Sequence, residues 1–240
     1  MFGPALPQAR TYARLLTGVG AERGIVGPAE ASRIWERHLL NCAVIGRLIP
    51  ARCSLADVGS GAGLPGIVLA LLRPEARVTL VEPMARRADF LRECVDELAV
   101  ANAVVVRSRA EDLSGKLAAD VVTSRAVAPL DKVAGLSAGL ARTGGRVLAI
   151  KGESAAAELQ RARPVLARLG ISDARVEVAR SASGLVSATV VTFTVAAHQP
   201  GARAPSSSGR PEGRVPKTGS RDGGGTATRY SRASSRRGGG

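Results

Sequence analysis

A short glycine-rich segment is the clearest candidate for chemistry in this sequence. Residues 57–63 read DVGSGAG, so an aspartate is followed by three glycines at alternate positions, Gly59, Gly61 and Gly63. Glycine lets a backbone turn sharply and approach a ligand closely, and a helix after such a loop offers N–H groups that lack partners. The segment therefore predicts a cofactor-binding loop between a strand and a helix.

The glycine pattern alone leaves the identity of the cofactor open. Residues 61–66 read GAGLPG and also match the GxGxxG fingerprint of dinucleotide-binding proteins. Glu82 ends the next apolar segment, where a carboxylate can accept hydrogen bonds from both hydroxyl groups of a ribose. Enzymes that use NAD share this feature, so Glu82 indicates a nucleoside without choosing between NAD and S-adenosylmethionine.

Polar residues also follow the third and fourth apolar segments. Residues 109–112 (RAED) stand where methyltransferases commonly place an acidic residue against the adenine amino group, although a helix-capping acid pair remains an alternative. Arg125 follows the fourth segment, at the expected mouth of the pocket. An arginine beside a pocket needs a partner, so we favour a ligand or phosphate contact for Arg125 over a surface salt bridge.

The residue types that the sequence lacks limit the reactions that it could catalyse. The three cysteines lack the spacing of a metal site and none ends a strand, so we interpret them as small core residues and predict no metal. His38 and His198 are the only histidines, and residues 124–129 (SRAVAP) lack the Asn/Asp-Pro-Pro-aromatic motif of exocyclic amine methylation. These features favour an acceptor atom that is already nucleophilic, such as guanine N7, which needs positioning but no deprotonation.

Apolar segments and helical patterns alternate along the chain and must position these residues. Strand patterns occur at residues 55–58, 77–82, 104–106, 121–122 and 147–150, and helical patterns at residues 65–72, 85–98, 130–142 and 153–169. Such alternation predicts a parallel sheet with helices on both faces. Two strand patterns without a helix between them, at residues 174–179 and 187–195, predict an antiparallel hairpin. The sequence therefore predicts an α/β fold of the Rossmann-like class I methyltransferase type, with a mostly parallel sheet and an antiparallel last strand.

The composition divides the chain into three predicted parts. Residues 1–50 form an N-terminal helical extension, residues 51–197 a domain that binds S-adenosylmethionine, and residues 198–240 a disordered basic tail. The tail is rich in Gly, Ser, Arg, Pro and Thr, so it cannot bury enough apolar area to offset the entropy of ordering. It carries nine of the 34 Lys and Arg residues against two acidic residues, which is half of the net charge of +14.

The charge, cysteines and apolar runs also limit the cellular context. A strongly basic balance is typical of a nucleic-acid partner. An odd number of cysteines and no apolar leader favour a reducing cytoplasm, and the apolar runs are too short for a membrane span. We expect a cytoplasmic monomer without a membrane partner. Two alternatives remain, namely an NAD-dependent oxidoreductase and a non-enzymatic RNA-binding protein that keeps the methyltransferase fold.

Three stretches resemble the bacterial small-subunit rRNA guanine-N7 methyltransferase family, also known as glucose-inhibited division protein B. They are residues 36–41 (ERHLLN), residues 57–66 (DVGSGAGLPG) followed by Arg73 and Pro74, and residues 124–126 (SRA) with Lys151 and Gly152. The resemblance covers roughly residues 10–196. It implies methylation of a guanine N7 in the decoding region of 16S rRNA, with S-adenosylmethionine as donor and free 16S rRNA or an assembling 30S subunit as substrate.

The resemblance also implies roles for individual residues. Gly59 and Leu64 would line the donor pocket, and Ala110 and Glu111 would contact the adenosine. Arg125 would contact donor or substrate at the reaction centre, and we predict it to be the catalytic residue. Contacts with RNA are predicted for three further basic side chains, which are His38, Arg109 and Lys151.

The chain departs from the family pattern in two places that concern the RNA base. Residues 22–28 (ERGIVGP) lack the Trp-Asn and Asn-Leu-Thr elements that many members carry before the histidine motif. Residues 187–189 (SAT) stand where a basic residue is expected near the final strand. For His38, packing between helices is an alternative to a contact with substrate.

Overall fold

The computed structural model describes residues 1–196, and one mixed sheet forms their centre. Its strands are β1 (Ser54–Val58), β2 (Arg77–Val81), β3 (Ala103–Val106), β4 (Ala119–Arg125), β5 (Ala141–Lys151), β6 (Arg175–Arg180) and β7 (Ser187–Thr194). The strand order is β3-β2-β1-β4-β5-β7-β6. The first five strands are parallel, whereas β7 runs antiparallel to both β5 and β6. The predicted parallel sheet with an antiparallel end is confirmed.

Helices connect and cover these strands. They are α1 (Leu6–Thr17), α2 (Val19–Glu22), α3 (Pro28–Ala31), a π-helix (Ile34–Leu40), α4 (Asn41–Ile45), α5 (Gly66–Leu72), α6 (Ala85–Glu97), α7 (Leu130–Leu140) and α8 (Ala155–Arg168), with 3-10 turns at Gly3–Ala5, Gly46–Leu48 and Glu111–Leu113. Among the described residues, each helix falls short of the length and apolar character that crossing a bilayer requires.

Two hydrophobic cores lie on opposite faces of the sheet because strand side chains alternate in direction. On β1, Leu55 joins the core formed with α1, the π-helix and α4 to α6, whereas Ala56 and Val58 join the core formed with α7 and α8. Side chains of this mainly aliphatic core are close to fully buried on both faces. Burial of apolar area on both faces is therefore what holds the ends of the strands in place.

The helices before β1 are built into the first core. Tyr12 and Leu16 of α1 and Leu39 of the π-helix are fully buried together with residues of β1 and α5. The predicted domain boundaries after residues 50 and 197 stay predictions, and the predicted tail at residues 198–240 lies outside the described residues.

Three sequence predictions differ from the structure in physically informative ways. The apolar strand predicted at residues 104–106 lies at the edge of the sheet, where Val104 is 56% exposed. The helix predicted over residues 130–142 ends at Leu140, and β5 begins directly after it. The second half of the helical extension predicted over residues 1–50 is divided into α3, the π-helix and α4. Apolar periodicity reveals neither whether a strand lies at the edge or the centre of a sheet nor a change of helix type.

A buried carboxylate joins three of these elements below the glycine loop. Asp57 on β1 is fully buried, and its two carboxylate oxygens accept hydrogen bonds from the Thr123 hydroxyl on β4 (2.9 Å) and from the Gly66 N–H at the start of α5 (3.0 Å). A Cβ on Gly66 would lie 2.7 Å from that carboxylate, so only glycine fits there. Burial raises the pKa of Asp57 to about 6, against the hydrogen bonds that favour its charged form.

This raised pKa predicts a component of stability that is lost as the pH rises. Below about pH 4 the Asp57 carboxyl is protonated in both the folded and the unfolded chain. Between about pH 4 and pH 6 it ionises in the unfolded chain but stays protonated in the folded protein, so the free energy of unfolding falls as the pH rises. The side chain of Asp57→Asn does not ionise and serves as the reference. Between pH 4 and pH 7 we expect the free energy of unfolding of the wild type to fall by about 3 kcal/mol relative to that of the variant. Urea unfolding of both proteins across this range measures the difference, and a pH-independent difference would contradict the assignment.

Candidate active site

Two cavities open at the carboxyl ends of the parallel strands, where the strand order reverses between β1 and β4. Ligands of open α/β sheets bind at this switch point. The first, of about 570 Å³, is here called the glycine-loop cavity, and its lining includes Gly59, Pro83, Met84, Arg109, Ala110, Glu111 and Val127. The second, of about 720 Å³, is here called the basic cavity, and its lining includes Glu36, Arg37, Arg125, Val127, Lys151, Glu158 and Arg161. Val127 belongs to both walls.

The glycine loop has the backbone conformation that its sequence predicted. Gly59 and Gly61 have φ angles of +63° and +57°, a region that L side chains rarely adopt. A Cβ on Gly59 would lie 2.9 Å from a methyl carbon of Val127, so only glycine lets Val127 pack this closely on the loop at the wall of the glycine-loop cavity. The contact between Gly59 and Val127 therefore shapes this wall of the cavity.

Glu82 holds the loop from the neighbouring strand. Its side chain is buried, with the residue 2% exposed, and its two oxygens accept the Gly61 N–H and the Met84 N–H, both at 2.9 Å. Each carboxylate oxygen can accept a further hydrogen bond, so the group can also receive hydroxyl donors. The structure thus brings Gly61 and Glu82 together, although neither lines either cavity, so their predicted contacts with a nucleoside stay predictions.

Gly63 and Leu64 lie on the core side of the loop. A Cβ on Gly63 would collide with Ile67 and with the hydroxyl of Tyr12. That hydroxyl donates a hydrogen bond to the Ala62 carbonyl (2.6 Å), so the fully buried Tyr12 of α1 secures the loop from below. Leu64 packs against the first core and does not line either cavity, so its predicted contact with a donor stays a prediction.

The segment after β3 forms the opposite wall of the glycine-loop cavity. Ala110 is buried, and Glu111 begins a short 3-10 turn at the surface. Arg109, which was predicted to contact RNA, lies in this same wall and not in the basic cavity. The structure therefore brings Ala110, Glu111 and Arg109 opposite Gly59.

Arg125 ends β4 and lies in the basic cavity with most of its donors engaged. Its Nη2 group donates to the Arg37 carbonyl (3.0 Å) and to Nδ1 of His38 (2.7 Å), and Nη1 contacts Sγ of Cys42 at 3.6 Å. Burial raises the pKa of the Cys42 thiol to about 11, so this sulfur is neutral near pH 7. The guanidinium is therefore held against the π-helix, with Nε and part of Nη1 without a protein acceptor among the described residues.

Lys151 lies in the basic cavity but already has partners. Its ammonium forms an ion pair with Glu158 (2.9 Å) and donates to the Ala128 carbonyl (2.8 Å), and the two side chains are 9% and 16% exposed. Glu158 also accepts the Leu130 N–H at 3.1 Å. This ion pair fastens the loop after β4, so the predicted contact of Lys151 with RNA would require exchange of partners.

The fastened loop carries Val127 across the two cavities. Ala126 within it has a φ angle of +54°, which is uncommon for a residue with a side chain and recurs at functional sites. Val127 itself is 36% exposed and covers Gly59. The conformation of this loop therefore sets the size of both cavities.

Sequence reasoning missed several residues that shape the site. They are Tyr12, Glu30, Val127 and Glu158. Tyr12 and Glu158 contact backbone groups 50 and 28 positions away, and Glu30 contacts His38, 8 positions away on a separate helix; no local motif marks such pairs. Tyr12 offered one signal, because a tyrosine on an apolar helix face needs a partner for its hydroxyl. Glu158 offered another, as the first acidic residue in the helix after Lys151.

The chain is similar to one family over most of its length. A family model described as rRNA small subunit methyltransferase G matches residues 5–185. A protein named ribosomal RNA small subunit methyltransferase G from Mycolicibacterium gilvum is 57% identical over 180 residues, covering 74% of this chain and 79% of the relative. A protein of the same name from Thermobifida fusca is 53% identical over 197 residues, covering 81% and 82%.

A solved structure supports the fold. The cofactor-bound crystal structure of Rv0187 from MTB superposes with a TM-score of 0.51 at 21% identity, covering 80% of this chain and 89% of that one. At this level of identity the likeness concerns the arrangement of sheet and helices, and the site must be argued from its own residues.

The space beside Gly59 gives a direct test of the glycine-loop cavity. We expect Gly59→Ala to weaken binding of S-adenosylhomocysteine at least about tenfold, because its methyl group would displace Val127 at the cavity wall. Gly24→Ala is the matched control, since Gly24 has nearly the same φ angle (+61°) but open space around it. Isothermal titration calorimetry measures both affinities. Equal affinity in the two variants would exclude Gly59 from the binding site.

Proposed function

Because the chain belongs to the rRNA small subunit methyltransferase G family, we propose that it transfers a methyl group from S-adenosylmethionine to N7 of a guanine in 16S rRNA. The observation that carries this proposal is the pair of cavities that meet at Val127. One has the groups that a nucleoside needs, the other has an excess of positive charge, and both lie at the switch point of the sheet.

The residues of the glycine-loop cavity fit the donor. Gly59 forms part of the cavity wall, and Glu82 lies behind the loop outside the lining, where its buried carboxylate holds Gly61 and would accept the ribose hydroxyls. Ala110 and Glu111 on the opposite wall would hold the adenine, with the Glu111 carboxylate as acceptor for its amino group. When bound, S-adenosylmethionine supplies a methyl group on a positively charged sulfur.

The chain's own residues support an acceptor that needs no base. Guanine N7 has an in-plane lone pair and no proton, so the protein must orient it and exclude water. His38 is occupied on both ring nitrogens, and Cys42 is fully buried with a neutral thiol, so neither is free as a general base. Arg125 would orient the guanine or its phosphate through the donors that the protein leaves open.

The basic cavity suits an RNA substrate. Arg37, Arg125 and Arg161 line it, and the charge of Lys151 is balanced by Glu158. Arg37 also pairs with Glu30 at 3.3 Å, so Arg125 and Arg161 carry the excess charge; guanidinium groups attract phosphates and can pair with them in bidentate geometry. We propose that RNA enters from this side, with free 16S rRNA and the assembling 30S subunit as the two substrates to compare and with the protein acting as a cytoplasmic monomer.

The proposal is tested by transfer of a labelled methyl group from S-adenosylmethionine into free 16S rRNA and into 30S subunits from cells that lack the modification. We expect 7-methylguanine at one position of 16S rRNA, identified by mass spectrometry of nuclease fragments. Subunits that already carry the modification are the control and should accept no label. Incorporation at another atom or in another RNA would overturn the substrate assignment.

Arg125 gives a test at the level of one residue. We expect Arg125→Ala to lower kcat about 100-fold, the typical effect of removing one positioned polar group, while the affinity for S-adenosylhomocysteine changes little. Arg92→Ala, which removes an equal charge from a surface ion pair with Asp89, should retain activity. If Arg125→Ala had a kcat near that of Arg92→Ala, Arg125 would have only a structural role.

A further inference from the structure

A line of three polar side chains runs from the surface to the basic cavity. Glu30 of α3 contacts Nε2 of His38 on the π-helix, and Nδ1 of His38 contacts the Arg125 guanidinium at 2.7 Å. The His38 side chain is 12% exposed, and His38 does not line either cavity. The ring is therefore placed to act on Arg125 and not on a substrate.

The hydrogen-bonding capacity of Glu30 and Arg125 fixes the protonation state and the tautomer of His38. A guanidinium can only donate hydrogen bonds, so Nδ1 of His38 must accept, and the ring must be neutral. Its single N–H then lies on Nε2 and is donated to the carboxylate of Glu30, which can only accept. The contact from His38 lowers the pKa of Glu30, and burial together with the nearby charge of Arg125 lowers the pKa of His38. Both shifts favour this same arrangement.

We propose that Glu30 and His38 are positioning residues that hold the Arg125 guanidinium in the basic cavity, and that they do so only while His38 is neutral. The inference rests on the proposed function, since it gives Arg125 a role in methyl transfer. It assigns Glu30 a function although this residue touches neither cavity.

Protonation of His38 would break the arrangement at its centre. Nδ1 would become a donor facing another donor, and a second positive charge would stand 2.7 Å from the guanidinium. The charged groups that face the ring are Glu30, which favours protonation, and Arg37 and Arg125, which oppose it. As the pH falls through the pKa of His38, Arg125 loses its support and the rate of methyl transfer falls.

The remaining contacts of Arg125 limit the size of the effect. Arg37 still offers its carbonyl and Cys42 its sulfur after His38 is lost, so the guanidinium stays near the π-helix but gains freedom to turn. We therefore expect a reduced kcat with little change in donor affinity, because Gly59, Ala110 and Glu111 lie in the other cavity.

The test compares pH profiles of kcat in 30S methylation for four proteins. The wild type should lose activity at acid pH. His38→Ala should have a kcat at least about tenfold lower at pH 7.5, and His38→Asn, whose side-chain oxygen can replace Nδ1 as acceptor, should recover most of that loss without the acid limb. Glu30→Gln should move the acid limb to lower pH, because the carboxylate that favours protonation is gone.

Two results would overturn the proposal. One is a His38→Ala variant with wild-type kcat, and the other is an acid limb that persists unchanged in His38→Asn. A purely structural role for His38 would lower the melting temperature of both variants without the rescue by asparagine. Binding of S-adenosylhomocysteine, measured in parallel, separates loss of the site from loss of positioning.

A readout without catalysis keeps this inference separate from the proposed function. The chain has only two histidines, so ¹⁵N NMR of the imidazoles can assign His38 with His38→Asn as reference. We expect the Nε2–H tautomer in the wild type and a higher pKa of His38 in Arg125→Ala, because a neighbouring positive charge is removed. An Nδ1–H tautomer would disprove the arrangement whatever the methylated substrate is.

Discussion

The site depends on buried carboxylates that are satisfied by backbone N–H groups of the loops around them. Asp57 and Glu82 stand on neighbouring strands, and each fixes a different part of the glycine loop, one at the start of α5 and the other at Gly61. A buried carboxyl group without such partners is costly, so the loop can adopt few other conformations that keep these hydrogen bonds. The shape of the glycine-loop cavity follows from this constraint, because the same backbone forms its wall.

The cationic side chains of the site are also held by partners within the protein. Lys151 is paired with Glu158, and Arg125 is supported by carbonyl, sulfur and imidazole acceptors. These partners orient each cation before any ligand arrives, and such preorganisation reduces the reorganisation that a reaction otherwise requires. The family to which the chain belongs acts on RNA, a polyanion, so prior orientation of these cations also limits nonspecific contacts with phosphate.

The sequence predicted the parts of this structure that depend on local pattern. Alternating apolar periods predicted the sheet and its hairpin, and three glycines beside an aspartate predicted the loop, because both signals arise within about ten residues. The contact of Tyr12 with Ala62 depends on how α1 meets the glycine loop, 50 residues away, and that of Glu30 with His38 on the break between α3 and the π-helix, which apolar periodicity does not show. Lys151 shows most clearly what the sequence does not predict. Its motif identified it as a candidate site residue, but its ion pair with Glu158 was not predicted.

Val127 has a thermodynamic consequence for the order in which two ligands bind. Its side chain covers Gly59 on one side and lines the basic cavity on the other, so a ligand that displaces it from one wall also changes the other wall. The two sites are then linked, and linkage is reciprocal: the factor by which the first ligand changes the affinity for the second equals the factor in the opposite direction. If the two cavities bind donor and acceptor as proposed, the loop held by Lys151 and Glu158 would couple the two binding events.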